Sequence, residues 1–272
     1  MNRFTRTVRA ALELTLAAGA LMLAGCDSMP QRDSAGPVSE SVSMTGEAGD
    51  ARNRAKVHAE LAALYYGRGS MAIALEELRI AAAADANYPL TYSLFGLVYM
   101  ELRENQLAQS NFERGLRLSP TDPDINHNYG WFLCQSGREA ESIKYFMQAV
   151  RNPLYPAPWR SYSAAGVCAL RKNNLKEAED FFQRALSQEP DEPGSLLQLG
   201  QIRYRQGNLE EARRLVGRHN RIVTPGAESL WLAVRIERKL GERNAESNYA
   251  TQLRRRFATS REYQLLQRGE YD

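Results

Sequence analysis

From Ala51 onward, apolar residues recur at helical spacing in an alanine- and leucine-rich chain. The pattern is broken at regular intervals by Gly-Asn, Gly-Arg, Ser-Pro and Glu-Pro pairs, which end helices and turn the chain. The interruptions have a fixed period. Small residues align at Ala62, Gly96, Gly130, Gly166, Gly200 and Val234, spaced by 34, 34, 36, 34 and 34 residues. Twelve positions after each anchor stand Ala74, Ala108, Ser142, Ala178, Ala212 and Glu246, and sixteen after it Leu78, Phe112, Phe146, Phe182, Val216 and Ala250. Two helices per period follow. A small residue on the first helix lets the second approach, the larger residue fills the gap, and Pro120 or Pro190, twenty-four positions after the anchor, stops the second helix. The signal fades at both ends, as terminal capping repeats do.

The copies SLFGLVYMELRENQLAQSNFERGLRLSP, SAAGVCALRKNNLKEAEDFFQRALSQEP and LLQLGQIRYRQGNLEEARRLV resemble the tetratricopeptide repeat. That resemblance implies an all-α, right-handed solenoid of about six helix pairs over residues 51–272. The two extra residues between Gly130 and Gly166 fall in NPLYPAP at 152–158, whose prolines force an extended connection between the third and fourth pairs.

The first fifty residues follow another pattern. Arg3, Arg6 and Arg9 precede a charge-free run from Leu14 to Leu23, the layout of a signal peptide over residues 1–25. The run ends in Leu23-Ala24-Gly25-Cys26, which resembles the lipobox of bacterial lipoproteins. This implies cleavage before Cys26 and its acylation, enough to anchor the chain to a membrane without spanning it. Residues 26–50 are rich in Ser, Gly, Pro and acids and read as a tether reaching roughly 25–30 Å.

Composition then narrows the function. Of 272 residues, 43% are hydrophobic and 25% charged, and the mean hydropathy is −0.50 with no apolar run of spanning length. The net charge of +3 loses three arginines and one glutamate with residues 1–25, leaving the mature chain near neutral. A nucleic-acid binder is not expected from that balance. No HExxH, CxxC or glycine-rich phosphate loop is present, and His58, His127 and His219 lie far apart in register. No metal, cofactor or small-molecule substrate is implied, and no catalytic residue is assigned. His127 and Cys134 share roughly one helix face, but without a third orienting group they read as a polar residue and a packing residue.

With Cys26 acylated, Cys134 and Cys168 remain, on the first helices of adjacent repeats. Side-by-side packing brings their Cα atoms toward disulfide range, so an inter-repeat disulfide is expected, with two buried thiols as the alternative. The first helices of tetratricopeptide folds line the concave face. The matching positions give an apolar stripe of Tyr66, Leu97, Met100, Trp131, Val167 and Leu170, with Tyr204 in the fifth repeat, suited to a peptide or amphipathic helix. Inter-helix packing is the competing reading of the same residues. The Lys and Asn of chaperone-type carboxylate clamps are replaced by Ala59 and Ala63, so capture of that kind is not expected. From Arg213 to Asp272 there are thirteen Lys or Arg against seven Asp or Glu, including Arg254-Arg255-Arg256. A solvated face is the usual explanation, and docking to an acidic partner or anionic lipid the sharper one.

The strings Asn126-His127-Asn128-Tyr129-Gly130-Trp131-Phe132-Leu133-Cys134, Asn152-Pro153-Leu154-Tyr155-Pro156 and Ala165-Gly166-Val167-Cys168 resemble type IV pilus biogenesis and stability lipoproteins. The resemblance implies a non-enzymatic pilotin at the periplasmic face of the outer membrane. It would bind the pilus secretin, promote its localisation and multimerisation, and so support twitching motility. Asp27 after the lipidated cysteine points instead to inner-membrane retention in enteric bacteria. A periplasmic adaptor for cell-wall synthesis or outer-membrane protein assembly is the alternative partner class.

Overall fold

A computed structural model describes residues 44–271; the expected signal peptide, Cys26 and most of the tether lie outside these residues. The regular elements among the described residues are helices. They run as six antiparallel pairs: α1 (Met44–Gly67) with α2 (Met71–Ala84), α3 (Pro89–Glu101) with α4 (Asn105–Leu118), and α5 (Pro123–Gln135) with α6 (Glu139–Val150). Then follow α7 (Pro158–Arg171) with α8 (Leu175–Gln188), α9 (Pro193–Arg205) with α10 (Leu209–Ile222), and α11 (Ala227–Leu240) with α12 (Arg243–Arg256). Each odd-numbered helix from α1 to α9 also packs against the next odd-numbered one, which makes the assembly a tetratricopeptide solenoid.

One boundary differs from the sequence reading, and one helix is added to it. α1 starts at Met44, inside the segment expected to be a tether, because a helix nucleated by packed turns extends outward at little cost per residue. After the sixth pair a further helix, α13 (Arg261–Arg268), folds back on α11 and α12. Its Tyr263, Leu265 and Leu266, with Tyr271, cover Leu230, Trp231, Val234 and Leu253, closing the last repeat. Among the described residues the first repeat has no such cover: Leu64, in register with the buried Val98, Phe132, Cys168, Ile202 and Ile236, is 58% exposed.

The period has two local causes. Four first helices open on proline at their first position, Pro89, Pro123, Pro158 and Pro193, where the missing N–H costs nothing. Asp122 accepts from the Ile125 N–H at 3.0 Å, and Glu192 accepts from the Gly194 and Ser195 N–H groups at 2.8 and 2.6 Å. The turn inside every pair holds a left-handed residue seven positions after the anchor: Gly69, Arg103, Gly137, Asn173, Gly207 and Gly241, with φ between 60° and 80°.

The core then follows from the anchors. A Cβ on Gly96, Gly130 or Gly166 would meet the ring of Phe112, Phe146 or Phe182 at 2.7, 3.0 or 2.6 Å, so glycine is what lets the two helices close over the ring. At Gly200 the filler is Val216, 2.7 Å from the same imaginary atom. In the sixth pair the sizes are exchanged, with Val234 buried at the anchor and Ala250 opposite.

Candidate functional site

The expected groove residues separate into two rows. Residues four after the anchor are Tyr66, Met100, Cys134, Leu170 and Tyr204; Cys134 and Tyr204 are buried, the other three half-buried, and all pack toward the next first helix. Tyr66 shares an apolar cluster with Val98, Met100 with Phe132, Leu170 with Ile202, and Tyr204 with Ile236. In each case the partner stands two positions after the following anchor. This row therefore contributes to inter-repeat packing, while Tyr66, Met100 and Leu170 keep part of their surface exposed. Tyr204 differs most from a groove-lining residue: it is 7% exposed, with the Arg235 guanidinium and the Lys239 ammonium each 4.6 Å from its ring centre.

At the junction of the third and fourth repeats the same register point holds a covalent link. Cys134 and Cys168 are disulfide-bonded, with Cα atoms 5.8 Å apart. This is also the junction with the two-residue insertion. Asn152 turns that connection by accepting from the Leu154 N–H at 2.9 Å, and it sends Tyr155 into the interior while Leu154 stays 86% exposed. The Tyr155 hydroxyl lies 3.3 Å from Ser161 Oγ, which is 2.9 Å from His127 Nδ1. Burial, with the nearby Arg160 charge, pushes the His127 pKa down to about 4, so the imidazole is neutral at physiological pH. His127 and Cys134 therefore serve the packing of this junction. Among the described residues no group of three or more His, Cys, Asp or Glu is placed to hold a metal ion.

The second row, one position after each anchor, lies on the inner face. Leu97, Trp131 and Val167 occupy it in repeats two to four and are half-buried, leaving an apolar strip beside their clusters. Farther along, Gln201 and Arg235 take the same positions, and the row five after the anchor runs Glu101, Gln135, Arg171, Arg205 and Lys239. The inner face thus changes from apolar to cationic along the solenoid. A charge count along the chain hides this: Arg254 and Arg255 are exposed on α12, whereas Arg171, Arg205, Arg235 and Lys239 come together only when positions are sorted by repeat register.

The geometry defines a helical-repeat scaffold with a continuous inner face. Tetratricopeptide repeat family models match residues 93–157, 143–193 and 169–223, so the chain carries tetratricopeptide repeats. It is homologous to the type IV pilus assembly protein PilF of Pseudomonas aeruginosa, with 26% identity over 265 residues, 96% of this chain and 98% of that protein. The crystal structure of PilW, described as a widely conserved type IV pilus biogenesis factor, superposes with a TM-score of 0.70 at 29% identity, covering 78% of this chain and 97% of the other. A Pseudomonas aeruginosa pilF structure shares the fold, with a TM-score of 0.75 at 24% identity over 82% of this chain and 99% of that one.

Proposed function

We propose that this protein is a noncatalytic type IV pilus biogenesis factor, anchored through Cys26, whose inner face holds a segment of the pilus secretin while its subunits reach the outer membrane and associate. The observation that carries the reading is the match to a pilus assembly protein over 96% of this chain and 98% of that protein. The half-buried strip of Leu97, Trp131 and Val167 supplies apolar contact for the segment, and the stacked repeats hold the strip in shape before a partner arrives. Acyl chains on Cys26 would confine the scaffold to the membrane surface, which raises the effective concentration of protein and partner without any new contact.

Deletion of the gene is expected to abolish twitching and to leave the secretin monomeric on non-denaturing blots; normal multimers and motility reject the reading. Trp131→Asp with Leu97→Asp, in a protein of unchanged helicity, is expected to lose secretin pull-down. Cys26→Ser should release the protein from membranes. Density fractionation of the acylated form decides between the outer membrane and the inner-membrane retention that Asp27 suggests.

A further inference from the structure

Several arginines of the C-terminal half are held by acids: Arg203 with Glu179 and Glu211 at 2.6 and 2.8 Å, Arg213 with Glu237 at 2.9 Å, Arg218 with Asp191 at 2.6 Å, and Arg238 with Glu246 at 3.0 Å. Others, among them Arg221, Arg243, Arg254 and Arg255, are not, but they do not share one register row on the first helices. On the inner face, Arg171, Arg205, Arg235 and Lys239 have no carboxylate within ion-pair distance among the described residues. Arg171 donates to the Cys134 carbonyl at 3.1 Å and to Gln135 Oε1 at 2.8 Å, both uncharged acceptors. Glu228 is the one acid in the recess of about 150 Å³ that Arg205 shares with Leu170, Gln198, Gln201 and Ile202.

A second observation lies beneath this row. The Tyr204 hydroxyl and Arg235 Nε are two of eight buried side-chain atoms without a hydrogen-bond partner among the described residues, and these two lie side by side at the stacked Arg235 and Tyr204. Unmet buried donors are uncommon and call for an explanation. Arg171, Arg205 and Lys239 sit in the last turns of α7, α9 and α11, where a helix dipole favours a cation. The dipole does not account for Arg235, in the middle of α11, nor for the phenol beside it.

We propose that the inner face of repeats four to six binds an extended acidic peptide segment through its side-chain carboxylates. Carboxylates supply the acceptors that Arg171, Arg205, Arg235 and Lys239 lack, and guanidinium groups are suited to them. Neighbouring first helices lie about 10 Å apart, which an extended chain covers in about three residues. Acids at every third position therefore fall in step with Arg171, Arg205 and Lys239. A segment of chain can enter a concave face that a flat lipid surface cannot follow, so peptide is the occupant chosen over anionic membrane. This takes the inner face as the docking surface, as the proposed function does, without depending on which protein supplies the segment.

The test uses the purified soluble chain and a fluorescein-labelled peptide of about twelve residues with glutamate at every third position. The control peptide carries lysine in place of glutamate. Anisotropy is expected to show binding of the glutamate peptide that weakens about tenfold between low and about 0.15 M salt, and no binding of the lysine peptide. Arg205→Glu with Lys239→Glu should lower that affinity at least about tenfold, since both side chains are exposed and their exchange disturbs no core. Lys144→Glu with Arg151→Glu makes the same change of net charge on α6 and its end, and should leave binding within about twofold. Equal loss in both double variants, equal binding of both peptides, or no binding at all would overturn the proposal. So would binding to phosphatidylglycerol vesicles that Arg205→Glu with Lys239→Glu abolishes while the peptide stays unbound. Intact secretin multimers in a strain carrying that variant bear on the secretin reading alone.

Discussion

Repeats two to four and repeats five and six share one register and fill it with different side chains. In the first group each anchor glycine closes over a phenylalanine ring; in the second the filler shrinks to Val216 and then the sizes exchange as Val234 and Ala250. The inner face changes in the same direction, from Leu97, Trp131 and Val167 to Gln201 and Arg235. The junction of repeats three and four is covalent, Cys134 to Cys168, and the next, Leu170 with Ile202 between repeats four and five, is apolar packing. The difference teaches that helix pairing needs a small residue facing a larger one, in either order and of variable size, which leaves the surface free to vary along the solenoid.

The strongest break in that comparison is at the filler. Phe182→Ala removes a fully buried ring facing Gly166 and is expected to cost about 3–5 kcal/mol, whereas Val216→Ala, facing Gly200, should cost about 2 kcal/mol. Urea unfolding of the two variants measures both, and equal losses would show that the repeats do not differ in their cores. Next comes the covalent junction. The disulfide spans 34 residues, so replacing both cysteines with serine should cost about 2–4 kcal/mol by the chain-entropy account. Non-reducing mass spectrometry must first find the link, since two alkylatable thiols would remove the distinction between the junctions.

How much of this was legible follows from which contacts are local. The anchors and their fillers are sixteen residues apart on two helices of one pair, so the Gly166 and Phe182 contact is written directly in the spacing. The spacing of Cys134 and Cys168 was legible for the same reason, since each sits at a fixed offset from an anchor. For Tyr66, Met100, Leu170 and Tyr204 the sequence left groove and packing readings open, because the balance depends on how successive pairs stack, which no single repeat encodes. Arg235 and Lys239 were counted among the basic residues of the C-terminal part, but their position over the Tyr204 ring required register and superhelix together. α13 carries no anchor, so the repeat pattern stops before it.

Acid sharpens the comparison from the side of the middle repeats. His127 holds a pKa of about 4 against an ordinary value near 6.5, because its burial against Phe146 and Ser161 and the Arg160 charge oppose protonation. Between those values the unfolded chain takes up a proton that the folded chain excludes. Stability is therefore fully present above about pH 6.5 and falls as the pH drops toward 4, with a slope no steeper than about 1.4 kcal/mol per pH unit from this one group. His127→Asn is expected to flatten the urea midpoint over that window, and an unchanged slope would assign the acid sensitivity to other groups.

The smallest effect lies in the turns, and it has the opposite sign. Of the six left-handed positions seven residues after the anchors, four are glycine and one is asparagine, while Arg103 holds φ 62° with a full side chain. The side chain is exposed and forms no ion pair among the described residues, so nothing is lost with it except the steric cost of the left-handed region. Arg103→Gly should therefore stabilise the second repeat by about 0.5–1 kcal/mol, once the extra freedom of glycine in the unfolded chain is offset. Gly207→Ala, at the same turn of the fifth repeat with φ 78°, should destabilise by about 1 kcal/mol. Opposite shifts of the two urea midpoints would show that both groups of repeats impose the same turn whatever their cores contain; a loss of stability in Arg103→Gly would mean that this arginine makes a contact worth more than the strain it carries.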